Sequence, residues 1–433
     1  MTPQSPFMVL AAVAPERERE LRELLASMNE APGRADPNNA LIPFGAFDRL
    51  HVARLLVLDD VTTGDIAAYD LPPPKPTLYF ALLGDVDGEA EAFLDELARR
   101  AAPGLTRLFS CCEGFEPGAD LAGWLRRHRN PAVANYVNSL GRTVREIREE
   151  ARLRVALDAH LAAHRDTLAN LPARELHAAL RRFVDAEKAA GRLALTAPDP
   201  TPFGWWLRDR LHLVGVPLLA LAFSPLLLLA APFYLLWLRR AERTDPEICF
   251  NVAQAHSEAL SLLEDHDVSN PFSAMGSLKP GALRLLTILG VLTTVDYAAR
   301  HIVRRGRLGR IRSIHFARWV FVGGTERMAF FSNYDGSVES YMDDFINKAG
   351  FGLNAVFGNG IGYPQTRWLF GGGCEDERKY KEYLRRHTLA TQVWYKAYPG
   401  LTAVDLERNT RIREGLEAGA PGEDAAREWV ALL

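Results

Sequence analysis

Five residues in the second half of the chain carry side chains suited to chemistry: His315, Arg318, Asn333, Tyr334 and Asp335. A histidine titrates near neutral pH, so it can serve as a general base or ligate iron. An arginine and a carboxylate beside it would polarise a bound oxygen species, with the asparagine and the phenol adding hydrogen bonds. The same types recur earlier in the chain. His51-Val-Ala-Arg54 matches His315-Phe-Ala-Arg318, and Asp87-Gly88 matches Asp335-Gly336. Strand alternation places each histidine on one face and the arginine three residues later on the other. Asp87 and Asp335 also suit the N-cap of a following helix, with the glycine allowing the turn. The later copy is the more polar, with Ser332, Asn333 and Tyr334 where the earlier one has Gly84, Asp85 and Val86. It is therefore expected to be the working half.

The elements that must position these residues are duplicated. Asp87–Phe115 and Asp335–Tyr363 align without a gap and agree at 9 of 29 positions, the mark of an internal repeat. Each copy reads strand, helix, strand, strand, helix, strand. In the first copy the strands fall at 7–14, 51–58, 77–83 and 105–112, with the acidic, proline-rich stretch Val61–Pro76 as an insertion. This order is the split βαβ, ferredoxin-like pattern. Two half-covered sheets in one chain bury their apolar faces by pairing. The expected fold class is α+β: tandem ferredoxin-like βαββαβ repeats forming an α/β barrel. Residues 1–118 form the first repeat, 119–270 a helical insertion, and 271–433 the second repeat with a C-terminal extension.

The insertion holds the most pronounced compositional feature. Leu211–Leu238 contains no Asp, Glu, Lys or Arg, and its length suffices to span a bilayer. Trp205, Trp206 and Trp237 flank it with Arg208, Arg210, Arg239, Arg240 and Arg243, as at membrane interfaces. A single crossing would put the two repeats on opposite sides of the membrane. The other apolar stretch, Leu283–Val295, is too short to return. Pro217, Pro225 and Pro232 instead predict a monotopic re-entrant hairpin with its tip at Ser224-Pro225. Trp205, Trp206, Leu219, Leu227, Leu228 and Trp237 would be the anchor, with the flanking arginines on anionic headgroups.

The rest of the composition sets limits. Of 433 residues, 48% are hydrophobic and 24% charged, and the net charge is −3. No global basic field recruits nucleic acid, although arginines cluster at 126–182 and 300–312. Four cysteines, two of them adjacent, form neither a disulfide framework nor a zinc spacing. A reducing compartment fits, and no signal peptide is read at the N-terminus. His160 and His164 stand at i, i+4 without an acidic partner at motif spacing. Cys112 reads as a small buried residue. Gly371-Gly372-Gly373 reads as a turn, because it lacks the Lys-Ser/Thr of a phosphate loop.

The duplication resembles the dimeric α/β-barrel superfamily, which includes dye-decolorising peroxidases, chlorite dismutases and small cofactor-free monooxygenases. Gly84-Asp-Val-Asp87-Gly88 matches the Gly-x-x-Asp-Gly string of dye-decolorising peroxidases, whereas Ser332-Asn-Tyr-Asp335-Gly336 lacks its first glycine. The resemblance implies a haem with His315 as axial ligand, and Asp335 with Arg318 polarising peroxide. The expectation is a membrane-associated, peroxidase- or oxygenase-like enzyme on the cytoplasmic face. It would act on a hydrophobic small molecule drawn from lipid, and would pair with a second copy of the chain. The alternative is a non-catalytic module, anchored in membrane lipid, that binds lipid or protein.

Overall fold

The computed structural model describes every residue except 60, 61, 73–77, 117 and 304–307. Parts of the Val61–Pro76 insertion, Thr77 and part of the 300–312 arginine cluster therefore lie outside the described residues. The fold mixes helices with antiparallel sheets. In the first half come β1 (Gln4–Ala12), α1 (Glu18–Ala26), β2 (Leu50–Asp59), β3 (Leu78–Asp87), α2 (Ala90–Arg100), α3 (Ala102–Phe109) and β4 (Ala134–Val137). Helices α4 (Val144–Ala163) and α5 (Phe203–Thr244) follow. The second half has β5 (Ser269–Ser277), α6 (Ala282–Tyr297), β6 (Ile314–Phe321), β7 (Arg327–Asp335), α7 (Val338–Phe357), β8 (Val393–Lys396) and α8 (Ala403–Glu417).

Two four-stranded sheets result, ordered β1-β3-β2-β8 and β4-β6-β7-β5. The last strand of each half is exchanged. Strand β4 pairs with β6 of the second half, and β8 pairs with β2 of the first. On the way, each crossing segment touches the first strand of its own half. Asn130 N donates to Met8 O, and Leu389 N donates to Ser273 O. Strands β2, β3 and β7 are nearly all buried because both sheet faces are covered. One face carries helices, with Phe80, Leu82, Phe93 and Leu97 in the first half and Phe330, Tyr341 and Phe345 in the second. The other faces meet each other, through Met8, Leu56, Leu58 and Leu83 against Met275, Val320, Ala329 and Phe331.

Four expectations are corrected. Neither sheet closes into a barrel; two open sheets are packed face to face. Residues 105–112 are not a strand, since helix α3 runs to Phe109. Its Gly104 fits against Leu41, where a Cβ would stand 2.0 Å from the carbonyl oxygen. The membrane hairpin is not formed either. Phe203–Thr244 is one continuous helix of 42 residues with all three prolines inside it. Each proline lacks the N–H for one backbone bond, but none ends the helix. The helix of Leu283–Val295 is longer than expected, because α6 continues in a π-helical turn to Ile302.

Candidate functional site between the sheets

A β-bulge sets the site. Ile314 pairs with Tyr334 but Ala317 pairs with Ser332, so three steps of β6 oppose two of β7. The first half repeats the device: Leu50 pairs with Val86 and Val52 with Asp85. An extra residue breaks the alternation of side chains. His315 and Arg318 therefore share the face that looks toward the other sheet, which corrects the expectation of opposite faces. The His51 ring lies 5.6 Å from that of Phe316 across the layer. Asn333 supports the bulge, its Oδ1 accepting from Phe316 N at 3.1 Å.

Each histidine is paired with an aspartate of the neighbouring strand. His315 Nε2 lies 2.6 Å from Asp335 Oδ1, and Ser269 Oγ lies 3.0 Å from the same nitrogen while donating to the same carboxylate. His51 Nε2 lies 2.9 Å from Asp87 Oδ1 and 3.1 Å from Gln4 Nε2, and its Nδ1 lies 3.2 Å from Tyr398 Oη. Neither aspartate caps the helix next to it; those N-caps are Glu89 and Ser337. The second carboxylate oxygens instead reach remote helices. Asp87 Oδ2 accepts from Val144 N at 2.9 Å, and Asp335 Oδ2 accepts from Ala403 N at 2.7 Å. Those are the first residues of α4 and α8, each opened by a capping box, Thr143/Glu146 and Thr402/Asp405. Each aspartate thus fastens a histidine to a helix start whose N–H groups lack intrahelical partners.

Burial governs the charges. It pulls the His315 imidazole below its ordinary pKa against the attraction of Asp335. Burial pushes the Asp335 carboxyl up, but His315, Ser269 and the Ala403 N–H together hold it below its usual value. Lys396, on the neighbouring β8, is pushed down to about 8 by burial. Tyr334 faces the helices, stacks on Tyr341 at 4.4 Å and donates to Asp265. It is a core residue, and burial raises its phenol. The structure thus brings His315, Arg318, Asn333 and Asp335 to one layer and leaves Tyr334 outside it.

What this layer can do is limited by its packing. His315 is 2% exposed, and its Nε2 is already engaged by Asp335 and Ser269. The space framed by Arg54, Asp85, Arg318, Phe331 and Asn333 is about 10 Å³, room for one water at most. These residues do not fit a haem with His315 as axial ligand. Ser269, His315 and Asp335 do not form a nucleophilic relay either, because serine and carboxylate meet the same ring nitrogen, and such a relay needs opposite ones. Elsewhere, His160 stacks on Phe183 beside His164. Among the described residues no group of three metal-ligating side chains gathers. The Cys112 thiol is buried and pushed up by that burial.

The second candidate region is α5. Trp206, Leu219, Leu227 and Leu228 are exposed, and Trp205 and Trp237 are half-buried. Both ends of the helix rest on the same body. Near the start, His212 Nδ1 lies 2.8 Å from His301 Nε2, and Tyr297 Oη donates to Leu213 O. Near the end, Leu238 packs on Ala355 and Leu369. Glu242, 1% exposed, accepts from Trp368 N, Leu369 N and Thr366 Oγ1 at 2.9, 2.7 and 3.0 Å. Asp245 takes Lys279 and Arg284 at 2.8 and 2.6 Å. The one sign of this double clamp in the sequence is the pair of acids, Glu242 and Asp245, interleaved with the arginines that end the apolar run.

Compared with protein-family models, curated proteins and solved structures, the chain gives no significant match.

Proposed function

We propose that this chain is a membrane-bound, non-catalytic module that contacts lipid through α5 and lies in one leaflet on the cytoplasmic face. One observation carries this reading: the apolar window of α5 has no residue buried in the protein, while both ends of the helix are held on one body. A helix apolar on all sides needs an apolar surrounding. From Leu213 to Leu238 the helix extends about 37 Å, more than the ~30 Å hydrocarbon core. Its two ends rest on α6 and α7, which cover the second sheet. A crossing would carry that sheet and its charged surface into the bilayer. Lying in the plane of one leaflet does not, and it keeps Arg208, Arg210, Arg240 and Arg243 at headgroup level. The duplicated element order supports reading the halves as ferredoxin-like units, here interlocked by exchanged strands.

The oxidoreductase reading draws on the convergence of His315 and Arg318, and it requires the inter-sheet layer to open around a hydrophobic substrate. The sealed packing favours the binding module. Flotation of the full chain with phosphatidylcholine–phosphatidylglycerol vesicles tests the proposal. The wild type floats, and a Leu219→Asn/Leu227→Asn/Leu228→Asn variant stays at the bottom while keeping its circular-dichroism spectrum. A folded wild type that fails to float overturns it. A haemin titration giving a stoichiometric Soret band abolished by His315→Ala would restore the enzyme reading.

A further inference from the structure

The end of α5 is joined to a second exposed apolar feature that the membrane helix alone does not require. Phe351, Trp368 and Phe370 are 66%, 48% and 42% exposed. The Phe351 and Phe370 rings stack with centroids 4.0 Å apart and planes 1° from parallel. Three large aromatic side chains left exposed to water lose the stabilisation that burial gives such groups.

The loop that carries two of them is rigidly built. Trp368 and Leu369 have φ of +54° and +69°, a region that costs non-glycine residues free energy. The Glu242 carboxylate offsets that cost by accepting both their N–H groups. Leu369 points inward onto Leu238, so Trp368 and Phe370 are turned outward on either side of it. Arg239 binds Glu242 and lies 6.0 Å over the Trp368 ring. The exposed Arg240 and Arg243 stand on the next turn of the helix. Aromatic rings beside arginines at the end of an apolar helix are what the lipid–water boundary accommodates, the rings among the acyl-chain ends and the cations on anionic headgroups.

We infer that Phe351, Trp368 and Phe370 form a second membrane-contact element, an aromatic tip that enters the headgroup region of an anionic bilayer on the same leaflet as α5. This rests on the membrane reading of α5 and extends it. The tip is continuous with that helix, and the charge beside it complements anionic lipid. With α5 as one contact line and the tip as a second contact beside its end, the body has one orientation on the membrane. The carboxylate of Glu242 is the joint that fixes the angle between them.

The test uses the full chain with Cys249→Ser, which removes the exposed thiol. A single environment-sensitive fluorophore is placed on Phe351→Cys, or separately on Leu228→Cys, and bound to phosphatidylcholine–phosphatidylglycerol vesicles carrying nitroxides at defined depths. The expected result is a blue shift at both positions, with shallow quenching at 351 and deeper quenching at 228. Quenching at 228 with none at 351 overturns the tip and leaves the membrane reading standing. No quenching at either position overturns both. A Phe351→Ser/Phe370→Ser variant should bind these vesicles roughly ten-fold more weakly; unchanged binding also overturns the tip.

Discussion

Arg54 and Arg318, one from each repeat, cross the layer between the sheets in opposite directions and end on equivalent carbonyls of the other half. Arg54 donates to Phe272 O and Ser332 O. Arg318 donates to Phe7 O and Gly84 O. The relation breaks in two places. Arg54 also donates to Ser273 Oγ at 3.1 Å, where the first half has Met8. Arg318 also pairs with the buried Asp85, whereas the residue equivalent to Asp85 is Asn333, which supports the bulge instead.

That asymmetry makes the two arginines unequal. Arg318→Ala strands the Asp85 carboxylate in the core and should cost about 3–5 kcal/mol. Arg318→Met/Asp85→Leu should recover most of this, because a matched apolar pair often replaces a buried ion pair at little cost. Chemical denaturation of the single and double variants checks it; a double variant no better than Arg318→Ala would count against the pairing.

His315 should make the fold sensitive to mild acid. Its folded pKa lies below its unfolded value of about 6.5, so the unfolded chain takes up the proton first. The stability is whole above about pH 6.5 and declines as the pH falls below it. Asp335, also lowered, adds a further loss as the pH drops below about 3.9 and through its folded pKa. Melting temperatures measured from pH 8 to pH 5 should fall in the wild type and fall less steeply in His315→Gln. Parallel curves would contradict the assignment.

Gly84 belongs to the string that resembles a peroxidase motif, yet its glycine has a packing reason. A Cβ there would stand 2.3 Å from Val52 O and 2.8 Å from the Phe7 ring. Gly84→Ala should destabilise by about 1–3 kcal/mol. Ser332, its counterpart, hydrogen-bonds through its hydroxyl to Tyr341 Oη at 2.5 Å, and Ser332→Gly should remove that bond without relieving any clash. Thermal melts of both variants compare the two sites.

Removing Glu242 should loosen the loop it holds. Glu242→Ala leaves the N–H groups of Trp368 and Leu369 without their acceptor, at a cost of about 2–4 kcal/mol. Hydrogen exchange at residues 366–372 should rise by orders of magnitude while that of β2 and β3 stays near the wild type. Uniform change across the chain would show that the clamp is not local.

Much of this layout could be read from the residues. The duplicated Asp-Gly and His-x-x-Arg located β2, β3, β6 and β7, and the charge-free run located α5. The bulges could not be read, because one extra residue leaves no compositional trace while reversing which side chains share a face. Leu105–Cys112 misled because a short apolar run suits a buried helix as well as a strand. The exchanged strands are four residues each, too short to stand out, and they persist only by pairing with the other half. A usable signal was present beyond them: Gly141-Arg-Thr143-Val-Arg-Glu146 and Gly400-Leu-Thr402-Ala-Val-Asp405 share spacing and cap equivalent helices. The three prolines suggested a hairpin, but a proline bends a helix in an apolar surrounding without necessarily ending it.

In-plane seating of α5 requires both of its ends to lie on one side of a membrane. Membrane-impermeant maleimide can be applied to sealed vesicles holding the full chain with Cys249→Ser and a cysteine at Phe203 or at Thr244. In-plane seating predicts that both positions label from the same side, with the same protection on the other. Labelling of one end from outside and the other only after permeabilisation would mean that α5 crosses the bilayer, and would overturn in-plane seating.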